Sequence, residues 1–198
     1  MKRNCRVLVL SCSLVLLIAS VVARAGPDDA ARPAEWMRHN LIVKLHDLPK
    51  RYSCNDLWYR FHDILLDIGA RPNMDIAPYR CERALGPNAR SPRVHLTFDM
   101  PRALPAAQAD ESDILTTAKT VRLAAGQPHS LDETDCELLR QIKGTLLAAL
   151  SVRVIDFSLD CQAPENARPP FGVSIRMLQP IAGSKVHAAL SAAVQPFS

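Results

Sequence analysis

The chain has 198 residues, 48% of them hydrophobic and 5% aromatic, with seven glycines and a formal net charge of +4. That length is ample for one core or two small ones. So few aromatics argue against a stacking platform for sugars or single-stranded nucleic acid, and so few glycines leave little for phosphate-cradling loops.

The charge excess belongs to the first 25 residues. Lys2, Arg3 and Arg6 form a basic opening, Val7 to Val22 is almost wholly apolar, and Ala23-Arg24-Ala25 is a small-x-small cleavage pattern. An apolar run of about 16 residues is short for a bilayer span, which needs ~20. A secretory signal peptide over 1–25, cleaved near Ala25-Gly26, is the expectation, with no stable membrane insertion afterwards. The remaining part carries 20 basic and 20 acidic side chains. The basicity is therefore a targeting feature and points to no nucleic-acid partner. Residues 26–35 read as a flexible N-terminus, with Trp36 just before the first strand.

The next stretch alternates cysteine, helix, strand and cysteine, and it does so twice. In the first instance "LIVKLHD" (41–47) reads as a strand. It is followed by an amphipathic helix with Leu57, Trp58, Phe61, Ile64, Leu65 and Ile68 on one arc and Arg60, Asp63 and Asp67 opposite. Ser53 is placed to cap its start and Gly69 its end. "MDIAPYRC" (74–81) is extended, with Pro78 marking an edge position or bulge. In "SPRVHLTFDMP" (91–101), Val94, Leu96, Phe98 and Met100 alternate with polar residues. The first β-α-β-β unit is expected over 36–101, and the Pro/Ala-rich 102–118 reads as a linker.

The second unit, over 119–180, repeats the order. "KTVRLAA" (119–125) precedes a helix with Leu138, Leu139, Ile142, Leu146, Ala149 and Leu150 on one arc, where Thr134 and Glu137 fit a capping box. "IDFSLDC" (155–161) alternates with Ile155, Phe157, Leu159 and Cys161 on one side, and Val173, Ile175 and Met177 mark a final strand. Residues 181–198 form a tail with a short helix. The expected fold is α+β: a duplicated β-α-β-β unit making a two-layer sandwich, with helices on one face of a mostly antiparallel sheet.

Beyond the signal four cysteines remain, and none is spaced C-x-x-C. A strand of about eight residues folding back along its helix ends near the helix start. This predicts the bridges Cys54–Cys81 and Cys136–Cys161, each stabilising by roughly 3–4 kcal/mol in the chain-entropy model. Disulfides place the protein in an oxidising compartment, periplasmic or secreted. The Arg- and Ala-rich signal suits a bacterial source.

No local signature of catalysis, cofactor or metal emerges from the chain. There is no G-x-S-x-G, P-loop or H-E-x-x-H motif. His46-Asp47 and His62-Asp63 are sequence neighbours that point in different directions, and His62 sits at the rim of its helix's apolar arc. If the helices cover Val43, Leu45, Val94, Leu96, Val121, Leu123, Val173 and Ile175, the open face carries Lys44, His46, Arg93, His95, Thr97, Arg122, Ser174 and Arg176. Asp99, Asp156 and Asp160 share that face and could pair with the arginines. The expectation is a non-catalytic binding protein that presents Lys44, Arg93, His95, Arg122 and Arg176 to an acidic partner protein or anionic glycan. Two alternatives stand beside it: a secreted inhibitor of a hydrolase or protease using the loop 82–92, and a small hydrolase with a dispersed triad.

Overall fold

The computed structural model describes residues 30–48, 52–81, 91–105, 108–110, 113–150, 152–161 and 171–185. Residues 1–25, expected to be a signal peptide, most of the candidate inhibitory loop 82–92 and the tail positions beyond 185 where a short helix is expected lie outside the described residues. The elements below belong to the unit Ala31–Ser198.

Along the chain come β1 (Arg32–Lys44), α1 (Cys54–Asp67), β2 (Asp75–Tyr79), β3 (Arg93–Ala103), β4 (Ile114–Ala124), α2 (Cys136–Ile142), a π turn (Lys143–Leu147), β5 (Arg153–Ser158) and β6 (Gly172–Lys185). The strands form one antiparallel sheet in the order β2-β3-β1-β4-β6-β5, and the fold is α+β. β1 starts inside the stretch read as a flexible N-terminus, so Trp36 lies within the strand. β4 likewise starts inside the presumed linker, and β6 runs on to Lys185, past the expected start of the tail.

α1 forms where its local signals place it. Ser53 makes a capping box with Asp56, the Asp56 N–H donating to Ser53 Oγ at 3.1 Å and the Ser53 N–H to Asp56 Oδ2 at 3.0 Å. Gly69 ends the helix at φ +88°, a conformation that disfavours any side chain. A Cβ there would also stand 3.1 Å from the Leu178 carbonyl oxygen, so the turn packs against β6. Leu57, Phe61, Ile64, Leu65 and Ile68 are buried as their spacing predicts, while Trp58 is half-buried and stacks on His62 with ring centroids 4.7 Å apart.

The second helix departs from its pattern. Its N-cap is Asp135, whose side chain makes no cap hydrogen bond, and Thr134 Oγ1 donates instead to Asp132 Oδ1 at 2.5 Å. The expected Thr134/Glu137 capping box is therefore not formed. After Ile142 the α-helix gives way to the π turn. The wider turn shifts the phase of the buried arc, so that Leu146 and Leu147 are both buried and Ala149 is exposed.

Both helices join one hydrophobic cluster with Val43, Leu45, Val94, Leu96, Phe98, Met100, Leu123, Val173, Ile175 and Met177 from four strands. Each fully buried side chain of this kind stabilises by roughly 1.5–3 kcal/mol. Cys54–Cys81 and Cys136–Cys161 are bridged, with Cα–Cα distances of 5.2 and 5.5 Å. Two bridges fit an oxidising environment. No helix among the described residues is long and apolar enough to cross a membrane.

Two expectations about facing fail for stated reasons. Arg60, placed on the solvent side of α1, is buried: its Nε donates to Asp135 Oδ2 at 2.8 Å and its Nη2 to Asp132 Oδ2 at 3.0 Å. The Tyr52 hydroxyl donates to Asp135 Oδ1 at 2.7 Å. A fully buried carboxylate thus draws an arginine off the polar arc and under the loop before α2. Burial and the Asp135 carboxylate push the Tyr52 hydroxyl well above the usual tyrosine range. In β5, a register shift between Val154 and Asp156 breaks the alternation, leaving Ile155 51% and Phe157 57% exposed. The Lys143 ammonium caps Phe157, 3.6 Å from the ring centroid.

Candidate functional site

The sheet is two three-stranded halves joined at a short seam. β1 and β4 pair only at Arg32↔Thr116, Pro33↔Leu115 and Ala34↔Ile114. At the seam the fully buried Thr116 donates its hydroxyl to the Arg32 carbonyl at 3.1 Å. From there β1 runs one way beside β3, and β4 runs the other way beside β6.

This topology divides the predicted basic stripe into two groups. On the first half Lys44 and Arg93 are direct cross-strand neighbours, and His95 lies opposite Ile42, one pair further along the same face. On the second half Arg122 lies opposite Ser174, with Arg176 diagonal to it. Lys44 stands about 33 Å along β1 from the seam, and Arg122 about 20 Å along β4 in the opposite direction. Lys44, Arg93 and His95 come together, as do Arg122 and Arg176, but the five do not share one patch.

Each group gains a member or a partner that the sequence did not point to. Arg153 on β5 lies directly opposite Arg176, so the second group holds three arginines across three strands. Nothing in the spacing marked Arg153, because the β5 bulge sets which of its residues share that face. On the first half, His95 Nε2 lies 2.7 Å from Asn40 Oδ1 and His46 Nδ1 lies 3.0 Å from Ser91 Oγ. Asp99, expected on this face, is taken by Arg38: Nε and Nη2 donate to its two oxygens at 2.9 and 3.3 Å. That bond holds the Asp99 carboxyl below the usual carboxylate range.

Lys44, Arg93, Arg122 and Arg153 have no carboxylate partner among the described residues. Like charges placed directly opposite, as in Lys44↔Arg93, destabilise a ladder unless an anion stands between them.

The histidines offer less. His62 Nδ1 does reach Asp63 Oδ1, at 3.1 Å, although neighbours on a helix point about 100° apart. Among the described residues no group of three His, Cys, Asp or Glu is placed to hold a metal ion.

Beside Lys44, an open groove of ≈ 660 Å³ runs between the end of β1 and α2, lined by Lys44, His46, Glu137, Arg140, Gln141 and Thr145 among others. Glu137 is engaged there by Arg140, with two bonds of 2.7 Å that hold its carboxyl below the ordinary range. Lys44 is the cation of this groove left without a partner.

No family model, curated protein or solved structure matches the chain.

Proposed function

We propose that this chain is an exported, non-catalytic binding protein that docks an acidic partner protein or anionic glycan on the open face of its sheet. The observation that carries the reading is the pair of directly opposed cations Lys44 and Arg93, with Arg122 and Arg153 as further cations on the second half. They weaken an isolated sheet and are relieved by a bound anion, for which arginine supplies bidentate geometry. The two disulfides and the shared core keep that face rigid, which lowers the ordering cost of binding. The element order β1-α1-β2-β3 followed by β4-α2-β5-β6 supports origin by duplication of one β-α-β-β unit, each copy bringing its own basic group.

The double replacement Arg93→Glu with Arg122→Glu is expected to abolish retention of the oxidised protein on immobilised polyglutamate and on heparin at low salt. Its thermal unfolding midpoint should stay at or above the parent value, since like-charge repulsion is removed. Unchanged retention overturns the reading. The two single variants assign the binding to one half or the other.

A further inference from the structure

Among the described residues, β1 has no strand beside it on its β4 side beyond Ala34. The Leu45 N–H donates to the Pro92 carbonyl at 2.9 Å, and the Leu104 N–H to the Pro33 carbonyl at 3.0 Å. Bonded and non-bonded pairs alternate along an antiparallel ladder. The odd-numbered residues of β1 therefore direct their N–H and C=O groups at β3, and the even-numbered residues direct theirs the other way. Arg32 and Ala34 meet β4 on that side. Trp36, Arg38, Asn40, Ile42 and Lys44 meet no backbone partner among the described residues.

The next even residue shows how the protein closes such an edge where it does so itself. The His46 N–H donates to Gln141 Oε1 at 2.8 Å, and Gln141 Nε2 donates to the His46 carbonyl at 2.5 Å. One side-chain amide of α2 stands where the peptide group of a neighbouring strand would stand. It marks the end of a row that is otherwise open among the described residues.

The side chains flanking that row differ by face. Arg38, Asn40, Ile42 and Lys44 are exposed on the open side, Ile42 by 53%, with Arg93 beside Lys44. Met37, His39 and Leu41 are half-buried on the core side, and Leu41 packs against the core. An antiparallel strand laid along the row would set alternate side chains over the Lys44/Arg93 pair and the others against Met37 and Leu41. The groove between Lys44 and α2 adjoins the end of the row that Gln141 closes. Charge on one side and apolar rim on the other specify acidic and apolar residues in alternation.

We infer that β1 takes up an extended acidic segment of a partner protein by antiparallel strand addition along Arg38–Lys44. The inference rests on the basic-face reading above and selects a protein segment over a glycan. Backbone pairing supplies affinity, and Lys44 with Arg93 selects the acidic side chains.

The test uses a fluorescein-labelled, C-terminally amidated peptide alternating glutamate and valine over seven residues, titrated into the oxidised protein by anisotropy. In the inferred register the glutamates face even residues of β1, so their N–H groups point at the edge and those of the valines point away. N-methylation of the glutamates should weaken binding about tenfold or more, and N-methylation of the valines should leave it near the parent value. Equal binding of both methylated peptides overturns strand addition and leaves the basic-face reading standing. Failure of the parent peptide to bind, with polyglutamate still retained, overturns the inference alone. Loss of both overturns the two together.

Discussion

The two helices begin alike, each at a bridged cysteine, and are held in different ways. α1 is secured by its own sequence: a capping box at Ser53, a glycine at its end and an uninterrupted apolar arc. α2 is secured from outside. Its N-cap carboxylate, Asp135, makes no cap bond and instead accepts from Tyr52 and Arg60, two residues that flank or belong to α1. In the other direction Gln141 of α2 closes the backbone of His46 just past β1. The difference teaches that the halves are not independent. The first half supplies the cation that the second half's buried acid requires, and the second half supplies the amide that ends the first half's strand.

The largest effect should come from breaking that exchange. Arg60→Ala removes the arginine bridged to the buried Asp135 carboxylate, and is expected to cost about 3–5 kcal/mol in urea unfolding. A cost below about 1 kcal/mol would mean the halves stand without this link. Next come the bridges. Replacing Cys54 and Cys81 by serine, or Cys136 and Cys161, should each cost roughly 3–4 kcal/mol, because the closed loops are nearly equal in length, with separations of 27 and 25. A markedly larger loss for the second bridge would indicate that α2 also depends on it for position.

Capping gives a smaller and sharper contrast. Ser53→Ala should cost about 1 kcal/mol, whereas Thr134→Ala, at a position that does not cap α2, should cost clearly less by the same measurement. Equal losses would return Thr134 to the role its sequence position suggested. The smallest effect is one of pH. The bond from Arg38 depresses the folded-state pKa of Asp99 below its unfolded value. Its contribution is therefore present above the unfolded carboxylate range and is lost as pH falls through the folded value. A carboxylate NMR titration should place the Asp99 midpoint below ordinary aspartates, and Arg38→Gln should move it upward.

Both disulfide pairings were legible because a helix and a returning strand of matched length bring their ends together whatever else the chain does. Pro78 on an edge strand and the buried alternation of Val94, Leu96, Phe98 and Met100 were legible for the same reason: each is a property of a few neighbouring residues. Three features were out of reach. Arg60 looks solvent-facing until an acid 75 residues away is placed beside it. The β5 bulge, which exposes Ile155 and Phe157 and sets Arg153 against Arg176, depends on how β5 meets β6. The basic residues gave no sign of the seam that parts Lys44, Arg93 and His95 from Arg122 and Arg176.

The sequence by itself determined the elements, the bridges and the α+β class, since hydrophobic period, caps and loop closure act over short stretches of chain. Only the tertiary structure decided which charges meet, which strand edge stays open and where the sheet divides. Those outcomes depend on strand order and on the pairing of residues far apart in the chain, and no local pattern encodes them.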